Sequence, residues 1–225
     1  MIDKLLNYIK ENLELDNREP HVPYESLPVC ILDCVYSLRA RYHQVTVPIL
    51  RRYAEKYMNG NKYAPGYSLS DFISHIDSVG GCQQFSRVVL KNNQKLSGRL
   101  KSEVCYEIAR KLKLLNIETM DDFNEFRSIE LIEIVLYSVK GIGQAALNYF
   151  FMLAGDSERC KPDVHIHRFI FNACGEKVSD LECQNLLSQA VERLNKTHKG
   201  ITVRELDFII WDKYQIQNSV FLKKN

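Results

Sequence analysis

"LYSVKGIGQAALNYFFMLAG", residues 136–155, places two glycines, Gly141 and Gly143, in a short turn between two apolar helical runs. With the upstream "SIELIEIV" it reads as helix, turn, helix. The periodicity predicts that Leu131, Ile134, Val135 and Tyr137 face inward in the first helix, and Ala146, Leu147, Phe150 and Phe151 in the second. Glycine has no Cβ, so both positions can take a positive φ and admit another backbone at close range. In such a turn the backbone N–H groups and the start of the second helix point outward as a preformed anion site. Lys140 and Gln144 add side-chain donors beside it. On its own the stretch reads either as an ordinary αα-hairpin or as a clamp for a DNA phosphate.

Helical periodicity dominates the flanking sequence too. It predicts helices near Ile2–Leu13, Leu27–Met58, Ser68–Val79, Gly81–Lys91, Lys101–Leu114, Met120–Phe126 and Ser128–Ser138. Others follow at Gln144–Leu153, Asp163–Cys174, Ser179–Lys196 and Thr202–Lys213. Pro48 splits Leu27–Met58 into two helices in this reading. "SLSD", "TMDD" and "SDLE" each set a hydroxyl three residues before an acid, the spacing of a helix-capping box. The fold class is all-α, with no clear alternating strand. Residues 66–153 form one helical lobe ending in the hairpin, and residues 1–65 plus 154–225 form a second.

The totals narrow the class. A chain of 225 residues with 45% hydrophobic content can bury a substantial core in one or two domains. No apolar run approaches the roughly 20 residues needed to cross a bilayer, and acids scattered through "MIDKLLNYIKENLEL" argue against a signal peptide. A protein without a membrane partner is expected. A net charge of +2 is weakly basic, so local clusters matter more than the total. Seven cysteines with no Cys-x-x-Cys pair read as small buried hydrophobes in a reducing compartment. His165 and His167 resemble a metal pair, but i and i+2 diverge on a helix, so no metal site is expected there.

Two stretches offer contacts to nucleic acid. "KNNQKLSGRLK" carries Lys91, Lys95, Arg99 and Lys101 without an acid, suited to phosphates or to a solvated loop. "LRARYHQV" offers Arg39, Arg41, Tyr42 and His43 after an apolar helix start. Such side chains can stack on bases, fill an emptied duplex position, or simply coat a helix.

Asp163, in "KPDVHIHRF", lies twenty residues beyond Gly143 and opens a periodic run, Val164, Ile166, Phe169, Ile170. Its position is that of a helix N-cap. The same position favours the ionised carboxylate. A fixed negative charge can stabilise a sugar with oxocarbenium character or polarise a water that attacks C1′. Capping and chemistry are compatible in one residue.

The combination of "LYSVKGIGQAALNYFFMLAG" and "KPDVHIHRF" resembles the helix-hairpin-helix–Gly/Pro–Asp superfamily of DNA base-excision glycosylases, the endonuclease III-like group. Gly141, Ile142, Gly143, Ala146 and Asp163 match its pattern in type, order and spacing, and the likeness extends from Pro23 to about Lys213. It implies an all-α, two-lobed fold with the DNA groove and base pocket between the lobes. It implies a hairpin (Lys140, Gly141, Ile142, Gly143, Gln144) that grips phosphates, assisted by Lys101, and a catalytic Asp163. It also implies a monomer acting on double-stranded DNA that carries a lesion or modified base, in the cytoplasm or nucleoid (the nucleus in a eukaryote). Tyr36, Ser37 and Arg39 are candidates for the pocket or the wedge.

Three departures refine the expected chemistry. Bifunctional members carry a lysine two residues after the second glycine, where this chain has Ala145. Without that amine a monofunctional, water-using glycosylase without lyase activity is expected. The four-cysteine iron–sulfur loop of many members has no counterpart, so no cofactor is expected. The family's usual proline before the first glycine is Lys140. A non-catalytic DNA-binding protein and strand incision through another lysine are the alternatives.

Overall fold

The computed structural model describes residues 1–16, 22–126 and 130–222, the side chains as far as residue 215. Among the described residues there are twelve α-helices, and the molecule is mostly helical. It divides into two compact units, one of Pro23–Gly155 and one of Met1–Val22 with Asp156–Asn225. The division near residue 155 falls close to the expected one, but residues 23–65 lie in the unit expected to begin at 66. The reason is packing. Leu27, Ile31, Val35, Ile49 and Tyr53 share one apolar core with Phe72 and Phe150.

In the unit Pro23–Gly155 the middle helix is α2 (Leu27–Ser37), buried from Leu27 to Tyr36 and apolar nearly all round, as an interior helix must be. Around it pack α3 (Tyr42–Tyr57), α4 (Leu69–Ser78), α6 (Lys101–Leu114) and α9 (Gln144–Leu153). The break between α2 and α3 falls at residues 38–41, and Pro48 sits inside α3. Arg39 in the left-handed region, φ 51°, ends α2, while the Lys101 ammonium holds the carbonyls of Tyr36 and Leu38 at 3.2 and 2.7 Å.

Helix α5 (Cys82–Gln84) runs into a π-helical turn, Phe85–Leu90, which Lys91 closes at φ 50°. The basic stretch that follows folds into a two-stranded antiparallel hairpin not anticipated from sequence, β1 (Lys95–Leu96) with β2 (Arg99–Leu100). Helices α7 (Met120–Phe126) and α8 (Glu130–Tyr137) complete the unit. The first part of the predicted Ser128–Ser138 helix lies outside the described residues. Capping pairs occur where expected, Ser68 with Asp71 and Thr119 with Asp122.

One packing expectation is overturned. Leu131, Ile134 and Tyr137 are 49%, 57% and 56% exposed, and Ile132 and Leu136 are the buried residues of α8. Nearly every position from 131 to 137 is apolar, so periodicity could not select a face. In α9 the expected set, Ala146, Leu147, Phe150 and Phe151, is buried.

The second unit joins α1 (Ile2–Asn12) to α10 (Val164–Cys174), α11 (Asp180–Leu194) and α12 (Val203–Leu222). Leu5, Ile9, Phe169, Leu187 and Leu206 form its core. Ser179 and Glu182 make the expected capping box on α11. Thr202 and Glu205 make a second one on α12, which continues past its expected end at Lys213. Six of the seven cysteines are buried, and Cys82 is half-buried. Among the described residues no helix is long and apolar enough to cross a membrane.

Candidate nucleic-acid interface and carboxylate site

The turn between α8 and α9 is set by two apolar plugs. Val139 and Ile142 are buried, and the Ile142 N–H donates to the Val139 carbonyl at 3.0 Å. Lys140 and Gly143 are thereby left exposed. Gly141 has φ 105°, and a Cβ there would stand 2.8 Å from Leu96 Cγ and 3.2 Å from Ser97 Oγ. Glycine is required by conformation and by the seat of the β1–β2 hairpin against the turn. Gly143 differs from expectation. Its φ of −110° is extended backbone, and a Cβ would meet nothing within 4 Å. As the N-cap of α9 it supplies no side-chain oxygen, so the N–H groups of the first turn have no side-chain cap. The Gln144 amide donates back to Asn148 Oδ1 at 2.8 Å, along α9.

These geometries predict opposite outcomes for two similar substitutions. Gly141→Ala should destabilise the protein by about 1–3 kcal/mol, the cost of forcing a side chain into that backbone region. Gly143→Ala should change the urea midpoint little. Equal losses in both variants would contradict this reading of the turn.

Lys101 does not lie where a phosphate ligand must. It is only 2% exposed, and Gln94 Oε1 at 2.9 Å joins the two carbonyls as its acceptors. Burial lowers its pKa to about 8. The ammonium is an internal pin for the α2 terminus. Tyr36 is fully buried, with Lys101 Nζ 5.6 Å from its ring centre, so it cannot stack on a base. Its hydroxyl faces Ser86 without a well-formed hydrogen bond. The half-buried Ser37 donates to the Cys34 carbonyl at 2.9 Å. Of the three early-helix candidates Arg39 alone is exposed, at the tip of the α2–α3 turn, with Arg41 and His43 exposed after it. Segment 94–101 ties this turn to the hairpin. Lys101 and Gln94 hold its α2 side, while Leu96 and Ser97 abut Gly141.

In the other unit Asp163 is the N-cap of α10. Its Oδ1 accepts from the N–H groups of His165 and Ile166 at 2.8 and 3.3 Å, and the residue is half-buried. His165 and His167 diverge as expected. His165 stacks on Tyr214 with ring centres 5.5 Å apart, and burial pushes its pKa down. His167 Nε2 lies 2.9 Å from Asp180 Oδ1, and its Nδ1 lies 3.4 Å from Cys183 Sγ. In that Cys–His–Asp row burial, then Asp180 and Glu182, push the Cys183 thiol up to about 12, which disfavours the thiolate. Among the described residues no three His, Cys, Asp or Glu side chains gather as a metal site.

A family model described as "Domain of unknown function (DUF8548)" matches residues 3–215, which include parts of both units. The chain belongs to this family. No curated protein and no solved structure matches it.

Two buried carboxyl groups of this DUF8548 chain gave no sequence signal. Asp207 of α12, 7% exposed, accepts the Lys161 N–H on Oδ2 at 3.1 Å. Burial first, and then the charge of Asp163, raise its pKa to about 8. Asp33 of α2 is fully buried and accepts from three tyrosine hydroxyls: Tyr24 and Tyr42 at 2.8 Å and Tyr149 at 3.1 Å. Both sit within apolar runs, "ILDCVY" and "ELDFII", where an isolated acid reads as a helix-surface residue.

Proposed function

We propose that this chain is a monofunctional DNA N-glycosylase of the helix-hairpin-helix–Gly/Pro–Asp kind. Its reaction is release of a damaged, mispaired or modified base by hydrolysis. The observation that carries the reading is the N-terminus of α9 without a side-chain cap behind the Gly141 turn, followed at the family's spacing by a half-buried Asp163 at the N-cap of α10.

The backbone N–H groups of the turn and Lys140 hold duplex phosphates. Arg39 enters the position vacated by the flipped nucleotide, whose unstacking costs a few kcal/mol and favours damaged or mispaired bases. Asp163, held rigid by the two N–H groups on Oδ1, keeps its charge towards the sugar. As the C1′–N bond breaks, the base leaves with the electron pair and takes up a proton. Water adds its oxygen to C1′ and gives up the balancing proton. Ala145 offers no amine, so no imine forms at that position.

Duplexes carrying a panel of lesions test this directly. Abasic product with no borohydride-trapped adduct is expected. Tight binding with no product on any lesion would replace catalysis with a DNA-binding role, and a trapped adduct would establish a lyase. Binding should weaken with salt, and Lys140→Ala should reduce the slope of log affinity against log salt by about 1. An unchanged slope would remove Lys140 from the interface.

A further inference from the structure

We propose that Asp207 is a positioning residue for Asp163: it holds the Lys161–Pro162–Asp163 segment from the core side through the Lys161 amide, and keeps the negative charge of the pair on Asp163. The inference rests on the glycosylase reading above and deepens it. Its basis is geometric. Asp207 is buried in α12 and accepts the backbone N–H two residues before the N-cap, and the buried Pro162 stiffens the link between them. A carboxyl so placed can anchor the segment with or without a proton, but it cannot ionise freely beside a second carboxylate.

The charged and titratable groups facing Asp207 are Asp163 at the start of α10, Lys161 and the Cys160 thiol on the loop, and Arg204 one turn earlier on α12. Lys161 and Arg204 favour its ionised form, and burial and Asp163 oppose it. Opposition wins, with the pKa raised to about 8. Burial and the neighbouring Asp163 thus favour the protonated form of Asp207 below about pH 8. Above pH 8 two negative charges compete in one site and the segment is pushed out of place. The sign for stability follows. A carboxyl raised from its ordinary 3.8 favours folding below that value and loses this contribution as pH climbs to about 8.

The decisive experiment is a carbon-13 titration of the Asp207 carboxyl in the full chain, with pH profiles of base release for wild type, Asp207→Asn and Asp207→Leu. A midpoint near 8, followed by the Lys161 amide resonance, is expected, together with an alkaline fall in wild-type rate at that midpoint. Asp207→Asn keeps an acceptor for Lys161 and should retain activity while losing the alkaline limb. Asp207→Leu should lose at least tenfold in kcat with KM little changed. A carboxyl that titrates near 4, or an alkaline limb unchanged in Asp207→Asn, overturns the proposal. If no variant or wild type releases a base while the carboxyl titrates near 8, the coupling stands and the glycosylase reading falls.

Discussion

Asp33→Ala is expected to destabilise the protein by about 3–5 kcal/mol, a large part of the 5–15 kcal/mol that separates folded from unfolded chains. One carboxylate accepts hydroxyls from three elements: Tyr24 ahead of α2, Tyr42 at the start of α3 and Tyr149 in α9. Burial and the Asp33 charge push all three phenols far above their ordinary range, so each remains a donor at any accessible pH. Removing the acceptor strands these buried hydroxyls, each at roughly 1–3 kcal/mol when no other partner is found. Asp33→Asn retains one oxygen and should fall between wild type and alanine. Tyr42→Phe, which removes a single donor, should cost only about 1 kcal/mol. Urea midpoints order the series, and an alanine variant as stable as wild type would refute the role assigned to this carboxylate.

For Asp163→Asn the expected result is a fall of about 10²–10³-fold in base release, the range found when one electrostatic contact to a transition state is lost. Asparagine is as good an N-cap as aspartate. The His165 and Ile166 N–H groups should keep their acceptor, and the thermal midpoint should stay close to wild type. The variant therefore separates chemistry from folding, which Asp163→Ala would not, because it also loses a cap worth about 1 kcal/mol. Base release by Asp163→Asn at the wild-type rate would end the catalytic assignment.

What sequence disclosed and what it hid follow from the range of the forces involved. The helix starts at Ser68, Thr119, Ser179 and Asp163 were legible because a cap and its N–H partners lie within a few residues of each other. The need for glycine at position 141 was equally local, although the contact with Leu96 that enforces it was not. Lys101 misled because its charge reads as a surface feature, whereas its partners at 36, 38 and 94 come together only in the folded unit. Asp33 and Asp207 hid for the same reason, each surrounded in sequence by apolar neighbours. The division of the chain depended on where α2 and α3 bury their faces, and periodicity gives a face without naming what covers it.

The seat of Gly141 against Leu96 and Ser97 bears on protein engineering. Anyone grafting this turn onto another helical scaffold would carry over a backbone shape whose support lies more than forty residues upstream. Leu96 and Ser97 would have to travel with the turn for Gly141 to keep its seat. A graft of the turn alone would arrive without its strut.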